Sequence, residues 1–182
     1  RFNFRDLKVQ DESIIKCVEK ILGVSLGYKP NGTDFEHWII LRINPPKSIG
    51  FNPVHKDIYG FMDRKGKSRI VKLKNLIPDM VNTWIPICGV NNQTGLPIVP
   101  GSHLLNEKSI VRSKAGVQLE GNRYSVNCIK SWDGDNSMKL ISPKEGFGIV
   151  FSSHLIHGLG VNNNPDETRV SLEFRLHLRN SL

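Results

Sequence analysis

The sequence has 182 residues and a formal net charge of +8, a length that suits one domain able to bury roughly 70% of the surface its unfolded chain exposes. No run of about 18 apolar residues predicts a membrane span. Three widely spaced cysteines, Cys17, Cys88 and Cys128, argue against a disulfide framework or a thiolate zinc site and favour a reducing cytoplasm.

The first predicted element is a support helix, Asp11 to Leu22. Its apolar residues recur at helical spacing: Ile14, Ile15, Val18, Ile21 and Leu22. The leading aspartate can cap this helix and Gly23 can end it. Because the sequence begins at Arg1 without an initiator methionine, we expect a trimmed piece of a longer protein. Residues 1–34 are then helical support for a core in residues 35–182 of the same single domain.

From residue 35 onward the sequence predicts short β-strands separated by turns. The predicted strands cover residues 38–44, 80–90, 96–99, 126–129, 146–153 and 169–178. The second and third are expected to form a hairpin around the turn at 91–95, and a short helix can form near 106–109. Strands without βαβ alternation predict an all-β core with a few flanking helices, arranged as a two-sheet jelly roll.

A run of basic residues, 64–74, lies in a long polar loop predicted between Gly60 and Asn75. Its charge could attract an anionic ligand or nucleic acid, although a solvated loop is the commoner meaning of such a run. No aromatic residues are interleaved there to stack bases. Nucleic acid is therefore not an expected partner, and neither is a membrane.

The candidate site starts from His55 and Asp57, two residues apart. In an extended strand, side chains at i and i+2 point to one face, so this imidazole and this carboxylate could share a metal ion. Two nitrogen ligands and one oxygen ligand with open positions suit non-haem Fe(II), and the best candidate for the second histidine is His157. Arg169, at the head of an alternating strand, could offer a fork for a carboxylate beside the metal. Arg175, further along the same strand, fits an exposed strand charge better.

Short motifs in a fixed order extend this pattern over residues 38–177. They are Leu41-Arg42-Ile43-Asn44, His55-Lys56-Asp57, Asn82-Thr83-Trp84, Gly95-Leu96-Pro97-Ile98-Val99-Pro100-Gly101-Ser102-His103, His157-Gly158 and Arg169-x-Ser171. In this order they resemble the Fe(II)/2-oxoglutarate-dependent oxygenases and, within them, the phytanoyl-CoA dioxygenase-like family. The resemblance implies the double-stranded β-helix, which is the cupin-like form of the jelly roll.

The resemblance also implies the metal ligands, which are His55, Asp57 and His157. His157 matches the His-Gly pair of the family, whereas His154, three residues earlier, is expected to pack nearby or to orient a ligand. Halogenating relatives carry a small residue in place of the carboxylate. Asp57 therefore favours hydroxylation over halogenation.

For the cosubstrate 2-oxoglutarate, the resemblance implies that Arg169 binds the distal carboxylate and that Ser171 adds a hydroxyl. Asn44 and Trp84 occupy places where relatives contact the cosubstrate, and Asn82 shares the face of Trp84. Core packing is an equal alternative for the tryptophan.

The implied reaction is hydroxylation of an aliphatic C–H bond of a small molecule, an anionic one among the options, by O2, with release of succinate and CO2. No side chain can activate O2 unaided, so the metal is required. The alternatives are a cupin-like non-redox enzyme or metal sensor, a binding protein with a lapsed site, and a nucleic-acid demethylase. The first of these has no need of Arg169, and the second is disfavoured by the intact ligand set.

Overall fold

The computed structural model describes residues 11–28, 39–49, 52–61, 80–113, 118–119, 122–123 and 127–179. These residues form one α-helix, α1 (Asp11–Leu22), and the following strands: β1 (Leu26–Gly27), β2 (Ile40–Asn44), β3 (Ser48–Ile49), β4 (Met80–Cys88), β5 (Leu96–Ile98), β6 (Ile110–Arg112), β7 (Gln118–Leu119), β8 (Asn122–Arg123), β9 (Ile129–Trp132), β10 (Lys139–Ile141), β11 (Ile149–Ser152), β12 (Val161–Asn162) and β13 (Arg169–Leu178). Short 3-10 helices occupy Asp57–Phe61, Ser102–Leu104 and Glu107–Ser109. Within these ranges, no helix is long and apolar enough to cross a membrane.

The helix α1 has the predicted bounds. It ends at Gly23, whose φ of +67° lies in the left-handed region and whose amide donates to the carbonyl of Glu19 at 2.8 Å. Val18 is buried against the large sheet, with Ile14 and Ile15 beside it. Ile21, which the periodicity placed on the same apolar face, is 72% exposed.

The strand β13 organises the largest sheet. It pairs antiparallel with β4 over most of its length, and with β2 and β1 on its other edge. The free edge of β4 pairs with β11. Smaller antiparallel pairs join β5 to β10, β3 to β12, β6 to β9 and β7 to β8. The predicted class, an antiparallel all-β core with a flanking helix, is confirmed.

Side chains of β13 alternate between two environments, as the period of a strand requires. Leu172, Phe174 and Leu176 are buried in the apolar core that α1 covers. The alternate residues lie on the opposite face, inside the jelly roll: Arg169, Ser171, Glu173, Arg175 and His177. One strand thus supplies both the packing under α1 and a polar lining.

A second core supports the segment between residues 53 and 61. Ile58, Tyr59, Val99 and Ile156 are at most 2% exposed and pack with Met80, Ile110 and Ile129. This core fixes the 3-10 helix Asp57–Phe61 against residues 155–157. It therefore sets the spacing of the two chain segments that carry the predicted metal ligands.

The predicted hairpin between residues 80–90 and 96–99 is wrong. Both edges of β4 are occupied, by β13 and β11, so β5 pairs with β10 instead. The chain crosses between sheets at residues 89–95, where the hydroxyl of Thr94 donates to the carbonyl of Gly89 at 2.7 Å. The turn was recognised correctly, but its consequence for pairing was not.

The extended strand predicted for His55 and Asp57 is also not formed. His55 makes one isolated bridge, to His157, and Asp57 begins a 3-10 helix. The turn of that helix, rather than the pleat of a strand, brings the carboxylate beside the imidazole. The predictions for Trp38 and for the basic run 64–74 lie outside the described residues.

Candidate metal centre

Three buried side chains converge at one point: His55, Asp57 and His157. Their candidate ligand atoms all lie within 4.8 Å of one another. Nε2 of His55 is 3.6 Å from Oδ1 of Asp57, and Nε2 of His157 is 3.5 Å from Oδ2. A cation placed between these atoms could bind all three, and two nitrogens with one oxygen form a donor set suited to non-haem Fe(II).

The backbone holds the two histidines in register. The amide of His55 donates to the carbonyl of His157 at 2.9 Å, and the amide of His157 donates to the carbonyl of His55 at 3.0 Å. Their rings lie 4.5 Å apart between centroids. Residues 102 sequence positions apart are therefore fixed by a mutual pair of backbone hydrogen bonds.

The tautomer of each histidine is set by a backbone carbonyl. Nδ1 of His55 lies 2.6 Å from the carbonyl oxygen of Pro53, and Nδ1 of His157 lies 2.9 Å from that of Leu155. A carbonyl can only accept, so each Nδ1 carries a hydrogen. Both rings thus offer Nε2 toward the carboxylate, as metal ligands do.

The backbone around Gly158 gives a physical reason why a glycine follows His157. Its φ is +134°, and a Cβ there would lie 2.6 Å from the carbonyl oxygen of Pro53. Any larger residue would push apart the two segments that carry the histidines. On the other side, the hydroxyl of Ser102 accepts from the amide of Ile156 at 2.8 Å, which gives the Pro-Gly-Ser-His motif a structural role.

The Asp57 carboxylate is buried and ionised. Asn82 donates from Nδ2 to its Oδ2, and Nη2 of Arg175 donates to its Oδ1 at 2.6 Å. Burial alone would raise the pKa of this carboxyl, but the Arg175 guanidinium and the two histidines hold it well below its usual range. The carboxylate is therefore charged and available to a cation at any physiological pH.

His157 is neutral in this setting. Burial, and then the neighbouring His55, lower the pKa of His157 to about 4. Neutral imidazole is the form that binds metals. His154, the competing candidate, is not in the group of three. Burial, and then the charge of Lys56, lower its pKa.

Lys56 lies between the two ligands in sequence and points away from them. Its side chain is fully buried, and its Nζ donates to Oε1 of Glu107 at 2.9 Å. The hydroxyl of Tyr59 donates to the other oxygen of the same carboxylate at 3.0 Å. The segment that carries His55 and Asp57 is thereby tied to the 3-10 helix Glu107–Ser109.

Arg169 is 4% exposed, and its Nη1 donates to Oδ1 of Asn44 at 3.1 Å. The two residues are direct partners between β13 and β2. The guanidinium carbon lies 5.2 Å from the ring centroid of Trp84, within cation–π range. A Cβ at Gly160 would lie 2.7 Å from Nη1, so the glycine leaves room for the guanidinium.

Among the described residues, no carboxylate lies within ion-pair distance of Arg169. In the same part of the chain, three buried donors on the inward face of the sheet have no hydrogen-bond partner: Arg169 Nε, Ser171 Oγ and Trp84 Nε1. Burial lowers the pKa of the guanidinium, which reflects the cost of keeping this cation away from water. A buried cation beside free donors needs an anion.

One cavity of about 230 Å³ joins this cation to His55 and His157. Its walls include His55, His157, Arg169, Asn44, Arg42 and Glu173. Arg42 is already neutralised, since its Nε and Nη2 donate to the two oxygens of Glu173 at 2.7 and 3.0 Å. Of the two arginines in the wall, Arg169 is the one whose charge is left for a ligand.

The structure thus brings together the three predicted ligands and, around one cavity, Arg169 with Asn44. Asn82 donates to the carboxylate of Asp57, while Trp84 lies under the guanidinium of Arg169. Sequence reasoning missed the role of Arg175, because it interprets this residue as an exposed strand charge. The two-residue period of a β-strand could have shown that Arg175 faces inward, because it lies three such periods after Arg169 and therefore on the same face of β13.

No protein-family model matches the sequence, and no curated protein matches it. Solved structures do match. The chain is similar to the crystal structure of AviO1 from Streptomyces viridochromogenes Tue57, with a TM-score of 0.56 and 16% identity over 94% of this chain and 59% of that one. It is similar to the non-heme alpha ketoglutarate dependent epimerase SnoN from nogalamycin biosynthesis, with a TM-score of 0.53 and 15% identity over 90% of this chain and 51% of that one.

A variant of the iron and alpha-ketoglutarate-dependent endoperoxidase NvfI is also similar, with a TM-score of 0.52 and 9% identity over 92% of this chain and 67% of that one. The chain therefore spans between half and three fifths of the length of AviO1 and SnoN. At identities this low, the structural matches establish the fold alone. The chain shares the fold of these iron- and alpha-ketoglutarate-dependent enzymes, which is the fold that the sequence predicted.

Proposed function

We propose that this chain is a non-haem Fe(II)- and 2-oxoglutarate-dependent dioxygenase that hydroxylates an aliphatic C–H bond of a small molecule. The observation that carries the proposal is the buried guanidinium of Arg169, which shares one cavity with His55 and His157 and has no carboxylate of the described residues within ion-pair distance. A metal site alone would not require it. A keto acid that binds a metal at one end and a cation at the other accounts for both.

The donor set fits iron. His55 and His157 would supply neutral nitrogens and Asp57 one negative charge, which leaves coordination positions for a keto acid and O2. The hydrogen bonds from each Nδ1 to a backbone carbonyl would hold the rings in the ligating tautomer.

The cavity fits the cosubstrate in size and charge. At about 230 Å³ it is smaller than the roughly 300–1,000 Å³ of pockets for drug-sized ligands, so it suits a five-carbon diacid. Arg169 would bind the distal carboxylate, with Asn44 holding the guanidinium in place. Ser171 and Trp84 would offer the two further donors that lack partners.

When bound, iron and 2-oxoglutarate would supply the oxidising power that side chains lack, with one atom of O2 entering the substrate C–H bond and the other entering succinate as CO2 leaves. The residues of this chain would bind and orient iron and 2-oxoglutarate and would exclude water from the cavity. Asp57 would supply the carboxylate ligand that halogenating relatives replace with a small residue, which supports hydroxylation over halogenation. Because SnoN is named an epimerase and NvfI an endoperoxidase, the test of hydroxylation measures the mass of the product as well as succinate.

Within the oxygenases, the order of short motifs supports a place in the phytanoyl-CoA dioxygenase-like branch. A non-redox cupin enzyme or sensor would have no need of Arg169.

The cytoplasm is the compartment we propose, supported by Cys17, Cys88 and Cys128, which are all free thiols.

The direct test is to incubate the protein with Fe(II), ascorbate, O2 and 2-oxoglutarate, and to measure succinate. We expect slow succinate formation that metabolite extracts accelerate, with one product gaining a single oxygen atom by mass spectrometry. The Asp57→Ala variant is the control and should form none. Product formation without consumption of 2-oxoglutarate would overturn the proposal.

A further inference from the structure

The Asp57 carboxylate is held from behind by a cross-strand pair. Arg175 of β13 and Asn82 of β4 face each other directly in the sheet register. Arg175 donates to Oδ1, the oxygen that faces His55, and Asn82 donates to Oδ2, the oxygen that faces His157. Each carboxylate oxygen therefore has one donor from the sheet and one histidine opposite.

This support matters because the backbone around Asp57 does not orient its side chain through a sheet. Asp57 begins a short 3-10 helix, whereas both histidines are held by their mutual backbone bridge. Arg175 and Asn82 come from β13 and β4, which share the longest pairing among the described strands. The predicted ligand that no sheet pairing holds is thus hydrogen-bonded to two long, extensively paired strands.

We propose that Arg175 and Asn82 are positioning residues that hold the Asp57 carboxylate in the orientation that binds the metal. This inference rests on the proposed metal-dependent function and assigns to Arg175 and Asn82 a role through Asp57 rather than through the cosubstrate.

Two opposite effects of Arg175 on metal binding must be compared. Its charge repels a dication, but its hydrogen bond fixes the carboxylate. The hydrogen bond acts directly at 2.6 Å, whereas the repulsion acts across the whole carboxylate and is partly cancelled by the charge of Asp57. We therefore expect loss of Arg175 to weaken metal binding rather than to strengthen it.

The experiment measures the affinity of the purified protein for Mn(II) alone. Loss of a group that orients a metal ligand typically costs about 10- to 100-fold in affinity, and we expect this for Arg175→Met and for Asn82→Leu. Arg175→Lys keeps the charge and one donor but loses the planar fork, so its affinity should lie between those of the parent and Arg175→Met.

Arg112→Met is the matched control. The Arg112 side chain is 24% exposed, as is that of Arg175, and it also faces a carboxylate, Glu107, at 3.8 Å. It lies outside the metal group and contacts the neighbouring segment through Glu107 and the ring of Tyr59, so its loss should cost much less Mn(II) affinity than the loss of Arg175. Unfolding temperatures without metal report on folding, and Asn82→Leu, close in shape to the parent, tests the inference if Arg175→Met does not fold.

The outcomes separate the two proposals. Parental or tighter Mn(II) binding by folded Arg175→Met, or by Asn82→Leu, overturns the positioning role while the metal site stands. A parent protein that does not bind Mn(II) overturns the metal-dependent function and this inference with it. Equal losses in Arg175→Met and Arg112→Met would also overturn it, because they would indicate a general effect of stability.

Discussion

Replacing Arg169 by Gln tests the cosubstrate directly. Glutamine keeps a donor and much of the stem, and it removes the charge and the fork that two parallel hydrogen bonds to a carboxylate require. Hydrogen bonds to charged groups contribute about 1.5–3 kcal/mol. At about 1.4 kcal/mol per factor of ten, affinity for 2-oxoglutarate should fall roughly 10- to 150-fold.

The same change should not destabilise the protein without ligand. The guanidinium is buried, and no carboxylate of the described residues lies within ion-pair distance, so removing it relieves a desolvation cost of several kcal/mol. The contact with Trp84 at 5.2 Å is worth about 2 kcal/mol when desolvated. The hydrogen bond to Asn44 adds about 1.5–3 kcal/mol. The desolvation cost and the lost contacts therefore roughly balance, and Arg169→Gln should unfold at about the same temperature as the parent.

The assay is a calorimetric titration of Mn(II)-loaded protein with 2-oxoglutarate and, separately, with pyruvate. Pyruvate keeps the keto acid end but lacks the distal carboxylate, so its weaker binding should hardly change in Arg169→Gln. Arg42→Gln is the comparison within the same cavity. Its guanidinium is already paired with Glu173, so it should lose stability rather than most of its 2-oxoglutarate affinity.

Two results would refute this reasoning. One is parental affinity of Arg169→Gln for 2-oxoglutarate. The other is an equal loss for both keto acids, which would mean that the arginine acts on the metal end of the cavity and not on the distal carboxylate.

Three further predictions concern the histidines and the glycine. His157→Ala should abolish Mn(II) binding, whereas His154→Ala should leave it near parental; equal modest losses would mean that neither is a ligand. Gly158→Ala should weaken Mn(II) binding and cost about 1–3 kcal/mol of stability because of its φ of +134°, while Gly60→Ala, where a Cβ meets nothing within 4 Å, should do neither. Burial lowers the pKa of His177 to about 4 from its ordinary 6.5. As pH falls from 6.5 to 4, the unfolded chain therefore takes up this proton before the folded one does, and the protein loses stability. Over that pH range the unfolding temperature of His177→Gln should fall less steeply than that of the parent, and identical slopes would contradict the lowered pKa of His177.

Local pattern was sufficient for several features of this chain. The helix Asp11–Leu22 and the strand Arg169–Leu178 have the predicted bounds, because amphipathic spacing, a glycine stop and strict alternation are all encoded within a few residues. The same alternation correctly placed Arg169 and Ser171 on one face. His55 and Asp57 were identified by residue type and spacing, and His157 by the resemblance of its His-Gly pair to the family; the fold brings the three together.

What the tertiary structure decided was the partner of each element. The strand Leu96–Ile98 pairs with Lys139–Ile141 because both edges of Met80–Cys88 are occupied, and occupancy of an edge depends on strands distant in sequence. Likewise, alternation fixes the face of Arg175, but not that Asp57, 118 residues away, lies opposite. A strand's period is a local property of its backbone. Its register against other segments is set by the packing of the whole chain, so the pairing of Arg175 with Asp57 became visible only in the folded structure.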